Sequence, residues 1–562
     1  MTTRLAPRFR RSFAALLPLL AGPASLAADA ADAADVADVA DVILVDASVV
    51  TMDPAVPGAQ ALALKDGRIL AVGSVEQVLA FKGDATRVRD LDGQVVMPGF
   101  IDCGGSCLAA GLVASAVDVS GLAPGDEAFV QALAAHAKDP VSRRIGMALA
   151  VASEPLREAL TRSRLDEAVR DMPAILLAAG GRVVVLNSKA CEIAGVNAAR
   201  SGTLEGTDAA VAMAALVASR PVESLAAVVL AGQQLLAARG CTTVAQAGVG
   251  EAMHAAFVRL AAARRMAVDV VAFVDGGTAT PAACLSGPWK SASYANGYRV
   301  AGISITFDRE LADTLDHPEP AAPGRRGVDR STARDLFMEA YDKDWQVMAD
   351  AHGREAIAMF VEVINEVAAS KGPNGRRPLL VGADMAGGEQ FEALLEPRVG
   401  VVFGPGRIAI DGDRLRDAMP DLDDAERLSP ASTALSHRVP VALHSSAGFV
   451  DPLRVLEAAA GRRTSSGDIL GPRERISVEQ GFAAITRVAA NLLGEDGRKG
   501  SLEVGKQADL VILSGDPLRA GPAELRQVHV VETIKAGRTV HEANGRSSPL
   551  RRRPGAAWVV SP

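Results

Sequence analysis

The stretch VRDLDGQVVMPGFIDCGGSC, Val88 to Cys107, carries the chain from one architecture into another. Asp92-Gly93 is a tight-turn signal between short apolar runs, the dipeptide whose residues accept φ > 0. Pro98-Gly99 then breaks the chain before a second apolar run that ends on Asp102. Upstream the same logic recurs. VILVDASVVTMD is an apolar strand running into a turn, and ALALKDGRILAVG is two short strands around Lys65-Asp66-Gly67. Residues 42–97 therefore read as a small β domain.

Downstream the pattern changes. Apolar runs such as AILLAAGG, VDVVAFVDG, VAGISITF, RPLLVGAD, VGVVFG and PVALHSSA are separated by Ala-rich helical stretches, among them ESLAAVVLAGQQLLAARG and REAIAMFVEVINEVAAS. Strand and helix alternating in this way predict an α/β fold, a TIM (β/α)8 barrel. KGSLEVGKQADLVILSGDP to TIKAGRTVHEANG returns to short strands and is expected to complete the N-terminal β domain, so that one small composite β-sandwich is built from both chain ends. At 562 residues the chain is long enough for a large barrel plus that second domain. The expected organisation is a signal peptide over 1–27, an acidic low-complexity linker over 28–41, sandwich over 42–97, barrel over 98–495, sandwich again over 496–545, and a basic tail over 546–562.

Composition narrows the function. Aromatic residues make up only 4%, which argues against an aromatic-lined sugar or nucleic-acid groove. The net charge of −8 leaves no basic footprint for nucleic acid. At the N-terminus Arg4, Arg8, Arg10 and Arg11 precede FAALLPLLAG, and Ser25-Leu26-Ala27 offers small residues before a cleavage point, the three regions of a secretory signal. Arg10-Arg11-Ser12-Phe13 also fits a twin-arginine signal, so an exported, periplasmic protein is expected. No later segment reaches the ~18 uninterrupted apolar residues of a membrane span. The five cysteines (Cys103, Cys107, Cys191, Cys241, Cys284) are odd in number, so at least one stays free or pairs between chains. Cys103 and Cys107 could bridge only if the segment turns, since in a strand their Cα atoms would lie roughly 13 Å apart.

Several segments together resemble the type-3 branch of the amidohydrolase superfamily, the metal-dependent hydrolases of the formamide-deformylase kind. ADVILVDASVVTMDP, DGRILAVGS and VVMPGFID look like its opening, VLNSKACEIAGV like a middle segment, and ERLSPASTALSHRVPVALHSSA, SSGDILGPRERISVEQGFAAIT and RKGSLEVGKQADLVILSGDPL like its closing third. The resemblance covers almost all of the chain beyond the signal. It implies a barrel with a composite sandwich and an ancestry in hydrolysis of non-peptide C–N bonds in amides and formamides. It also implies one or two divalent metals, usually zinc, at the C-terminal ends of barrel strands, generating hydroxide and polarising the scissile carbonyl.

The ligand positions implied by that resemblance carry other residues. The two places of an Asp-x-His-x-His motif are Gly104 and Ser106, with Asp102 kept. The place of a bridging lysine is Ser304, and two later histidine places are Asp350 and Gly382. The catalytic aspartate's place is Ser446, and a substrate-side Asp-Gly-His has become Gly180-Gly181-Arg182. Glycine cannot ligate through a side chain, and a serine hydroxyl is a poor zinc ligand. No cofactor is therefore expected.

The polar residues left at the rim are Asp102, Cys103, Arg182, Asp308, Asp350, His352, Asp384 and His444. A rebuilt metal site from Asp350, His352, Asp384 and Cys103 competes with the plainer reading that these groups satisfy one another. Cys103 with His444 or His352 is a conceivable nucleophile pair. Arg182 and Arg354 suit a carboxylate or phosphate anion, or else pair with Asp350 or Asp384. The other histidines, His254 among them, read as surface or capping residues. The function this supports is an exported family member that has lost its metal ligands and acts as an inactive binding or partner protein. Its partner would be an unknown small molecule or a paralogous subunit in a homo- or hetero-oligomer. The alternative is an active hydrolase with a rebuilt, non-standard site.

Overall fold

A computed structural model describes residues 39–543 except 123–126, 153–160, 179–182, 198–201, 278–283, 286, 288–293, 309–326, 374, 420 and 446–449. The signal segment, most of the linker, the basic tail, Arg182 and Ser446 thus lie outside the described residues.

Eight strands run in one sheet: Phe100–Asp102, Cys241–Val249, Asp269–Asp275, Tyr298–Thr306, Gln346–Ala351, Leu379–Gly382, Gly400–Phe403 and Val441–Leu443. Every neighbouring pair is parallel. Their near-continuous burial explains why they read as unbroken apolar runs. The helices between them bury one stripe. In Arg354–Lys371 the buried Ile357, Phe360, Ile364 and Val367 recur at helical spacing. The Phe360 ring lies edge-on to Phe307 and Phe337.

The sandwich is composite, as expected. One sheet pairs Val42–Val45 with Ala61–Lys65 and Arg87–Asp90. In the other, the C-terminal strand Leu510–Leu513 pairs with Val95–Pro98 and with Val530–Lys535. Asp66-Gly67 joins two antiparallel strands, with φ of 49° and 73°. Asp92-Gly93 has the same φ pair but carries the chain from the first sheet to the second, so its turn is not a hairpin between paired strands.

Ala174–Ala178, the AILLA run expected among the barrel strands, belongs elsewhere. It lies in a separate five-stranded sheet with Val117–Asp118, Ala148–Val151, Val183–Leu186 and Thr203–Glu205, set between the first and second barrel strands. All five of its residues are buried, so its apolar pattern alone could not distinguish the two sheets.

The N-terminal ends of the barrel strands are sealed by charge. Lys499 Nζ lies 2.5 Å from Asp269, and Arg299 Nε lies 2.7 Å from Glu495. Gln346 donates to the Leu492 carbonyl at 2.7 Å. The segment around 492–499 thereby plugs the end opposite the catalytic face of such barrels.

Candidate functional site

The C-terminal ends of the strands hold the candidate residues in two groups. The first closes the seam between the first and last barrel strands. Asp102, buried at the end of its strand, accepts hydrogen bonds from the Ser445 hydroxyl, from Ser445 N at 3.1 Å and from Gly104 N at 3.4 Å. Burial pushes its carboxyl pKa up, against the opposing pull of Ser445 and the nearby His444. His444 Nδ1 meets the Ser445 carbonyl at 2.8 Å, and its ring lies between two glycines. A Cβ on Gly104 would sit 3.0 Å from Cγ of that ring, and one on Gly404 would sit 2.6 Å from its Nε2.

The second group is centred on His352. Asp350 is the next-to-last residue of the strand Gln346–Ala351, and Gly353 caps the helix Arg354–Lys371. Between them, the His352 ring reaches Asp350 Oδ1 from Nε2 at 3.0 Å and Asp384 Oδ2 from Nδ1 at 2.7 Å. Asp384 arrives through a sharp turn, with Gly382 at φ 92° and Ala383 at φ 52°. It also accepts from the Ser429 hydroxyl, and Arg407 Nε stands 3.9 Å away. Burial would lower the ring's pKa, but the two carboxylates outweigh it and hold the imidazole well above its ordinary range. Burial likewise works to raise the Asp384 carboxyl, and the His352 bond and charge overcome it, leaving that pKa lowered. Behind them Asp308 accepts from His352 N at 2.6 Å and Gly353 N at 2.7 Å, covering the start of the helix. Burial pushes its carboxyl pKa up despite those bonds.

The remaining candidates have structural employment. Ser106 caps the helix Cys107–Ala114, its hydroxyl accepting from Ala109 N at 3.1 Å. Ser304 accepts from Gly248 N at 2.9 Å. Cys103 is fully buried among apolar residues, and burial pushes its thiol pKa far up, so it is no nucleophile. Arg354 is exposed and pairs with Asp424 at 2.5 Å rather than with Asp350 or Asp384; the guanidinium beside Asp384 is that of Arg407. His254 is buried, not at the surface, its Nδ1 2.8 Å from the Tyr298 hydroxyl. No disulfide joins any of the five cysteines, all of which lie among the described residues.

Sequence reading missed Ser445, Ser429 and Arg462. Arg462 donates to the carbonyls of Leu470 at 2.7 Å, Ser429 at 3.2 Å and Leu428 at 2.5 Å, which fixes the loop that supports Asp384. Only the serine beside His444 carried a signal, through its place next to a strand end.

Residues 87–541 match the sequence profile of the amidohydrolase family. The chain is 24% identical over 542 residues to the N-substituted formamide deformylase of Arthrobacter pascens, covering 90% of this chain and 98% of that protein. An uncharacterized metal-dependent hydrolase from Pyrococcus horikoshii superposes with a TM-score of 0.70 at 18% identity, over 86% of this chain and 99% of that one. A zinc-bound adenosine deaminase from Xanthomonas campestris superposes at 0.52 and 17% identity, over 89% and 93%.

Two of these relatives overturn the expectation that no cofactor belongs with this fold: the Pyrococcus protein is a metal-dependent hydrolase and the Xanthomonas deaminase has zinc bound. Among the described residues no group of three or more His, Cys, Asp or Glu is arranged to hold one. The glycines at two of the implied ligand positions, Gly104 and Gly382, are overlaid by the rings of His444 and His352. The residues present at the implied positions do not fit the family's metal.

Proposed function

The chain belongs to the amidohydrolase family, and we propose that within it this protein is an exported binding or partner protein that does not perform the family's C–N bond hydrolysis. The observation that carries this reading is the replacement of the implied ligands as a set. Gly104, Ser106, Ser304, Asp350 and Gly382 stand where the resemblance implies metal-binding side chains, and each has a packing or capping role instead. A metal-generated hydroxide needs several convergent ligands and an open position. Here the polar groups at the strand ends are spent on one another.

The Arg-rich, apolar and small-residue regions of residues 1–27 support export. Among the described residues no helix is long and apolar enough to cross a membrane.

The test is turnover. The purified mature chain, as isolated and after incubation with zinc, is assayed on N-substituted formamides and N-acyl amino acids. The expected result is no hydrolysis above the rate of a heat-denatured control in either state. Turnover abolished by Asp350→Ala or His352→Ala would overturn this reading in favour of a rebuilt hydrolase.

A further inference from the structure

We infer that Arg377 and Arg398 form an oxyanion-binding pair at the N-terminal end of the barrel, a site for a phosphate or carboxylate group on the face opposite the candidate site. Strand register brings them together. Arg377 stands two residues before Leu379 and Arg398 two before Gly400, and Leu379 pairs with Gly400 across neighbouring strands about 5 Å apart. Gly400 N donates to the Pro378 carbonyl at 2.9 Å, and Gln346 Nε2 donates to the Arg377 carbonyl at 2.7 Å, which fixes the backbone beneath the pair.

The pair lacks a counter-charge in reach. Other arginines at this end have one: Arg299 Nε is 2.7 Å from Glu495, and Arg376 Nε is 3.3 Å from Asp344. Among the described residues, neither the Arg377 nor the Arg398 guanidinium has a hydrogen-bond or ion-pair partner. Burial and the charge of Arg398 lower the Arg377 pKa, and Asp496 opposes them from beyond ion-pair reach. The Asp496 carboxylate accepts instead from Asn491 Nδ2 at 3.2 Å. Like charges facing each other across neighbouring strands destabilise, and more so where one is partly buried, until an anion bridges them. Arg398 also has φ of 61°, a backbone conformation that glycine adopts at less cost. A guanidinium is thus kept where the backbone does not favour a side chain. Two guanidinium forks on adjacent strands suit the oxygens of one phosphate or carboxylate. This reading does not rest on the proposed function, since no residue of the candidate site takes part in it.

The test is the melting temperature of the purified chain at pH 7.5 in sodium phosphate or sodium acetate, each against sodium chloride of equal ionic strength. A rise that saturates with concentration is expected for phosphate, acetate or both, and the anion that saturates identifies the group bound. Arg377→Gln and Arg398→Gly should each weaken the apparent affinity roughly fivefold or more, since each removes one charge-assisted fork. Arg398→Gly also relieves the left-handed backbone, so a loss of binding there is not a loss of folding. Arg538→Gln, on the exposed edge strand Arg538–Glu542 of the sandwich, should leave the affinity unchanged. A rise that never saturates is the general effect of an excluded salt and would overturn the site. Equal affinities in the native chain and both arginine variants would overturn it as well.

Discussion

Replacing Lys499 by Met should be among the most damaging single changes in the barrel, although it lies at the end opposite the candidate site. Its ammonium is 1% exposed and stands 2.5 Å from Asp269, 3.6 Å from Glu495 and 3.9 Å from Asp509, with Thr243 Oγ1 at 3.0 Å. Burial alone would push the Asp269 carboxyl up, but Lys499 and Lys535 hold it at about 2 against an ordinary 3.8. That difference is roughly 2.5 kcal/mol of native-state stability at neutral pH. Breaking one partner of a buried ion pair costs about 3–5 kcal/mol. Lys535, still 2.9 Å from Asp269, compensates in part. The expected loss is therefore about 3 kcal/mol, or roughly 3 °C in melting temperature for a folded unit of about 500 residues. The sign with pH is fixed. A carboxylate whose folded pKa is depressed contributes stability above its unfolded value and loses it as pH falls toward 2. The gap between native and Lys499→Met unfolding midpoints, measured by circular dichroism in urea, should be full at pH 7 and shrink from pH 5 to pH 3. Coincident midpoints at pH 7, or a gap that does not change on acidification, would refute the reasoning.

Three further outcomes concern the seam and the buried thiol of Cys103. Asp102→Asn retains an acceptor for the Ser445 and Gly104 amides, so it should cost less than Asp102→Ala by about 1 kcal/mol. Since the Asp102 pKa is raised by burial, its carboxyl opposes folding above its unfolded value and ceases to do so on acidification. The native-minus-Asn stability difference should therefore shift in favour of the native chain as pH falls. An unchanged difference between pH 7 and pH 4 would count against that. Iodoacetamide at pH 8 should leave Cys103 unlabelled in the folded protein and modify it in urea. Native-state labelling read by mass spectrometry would revive the nucleophile that its burial rules out.

The candidate site was legible in the sequence by subtraction. Glycine and serine at the implied ligand positions announced that the metal centre had changed, because a missing side chain needs no tertiary context to be recognised. What filled the space was not legible. His352 follows its strand end and Gly382 closes another, 30 positions apart, and their exclusion of each other depends on strand pairing from Met348↔Leu379 to Ala351↔Gly382. Asp102 and Ser445, at opposite ends of the barrel sequence, meet only because the sheet curls round. Arg354 was misjudged for the same reason: a helix start fixes where a guanidinium begins, while its 58% exposed end finds Asp424.

By itself the sequence determined the local events: the turns at Asp66-Gly67 and Asp92-Gly93 and the alternation of strand and helix that makes a barrel. These follow from backbone φ preferences and side-chain periodicity, which act over a few residues. The tertiary structure decided which strands share a sheet, and so sent Ala174–Ala178 out of the barrel and let one Asp-Gly turn cross between sheets. It also decided that an imidazole between two carboxylates should occupy the mouth. Pairing and burial are set by contacts between residues far apart in the chain, and those energies have no signature in any short window of sequence.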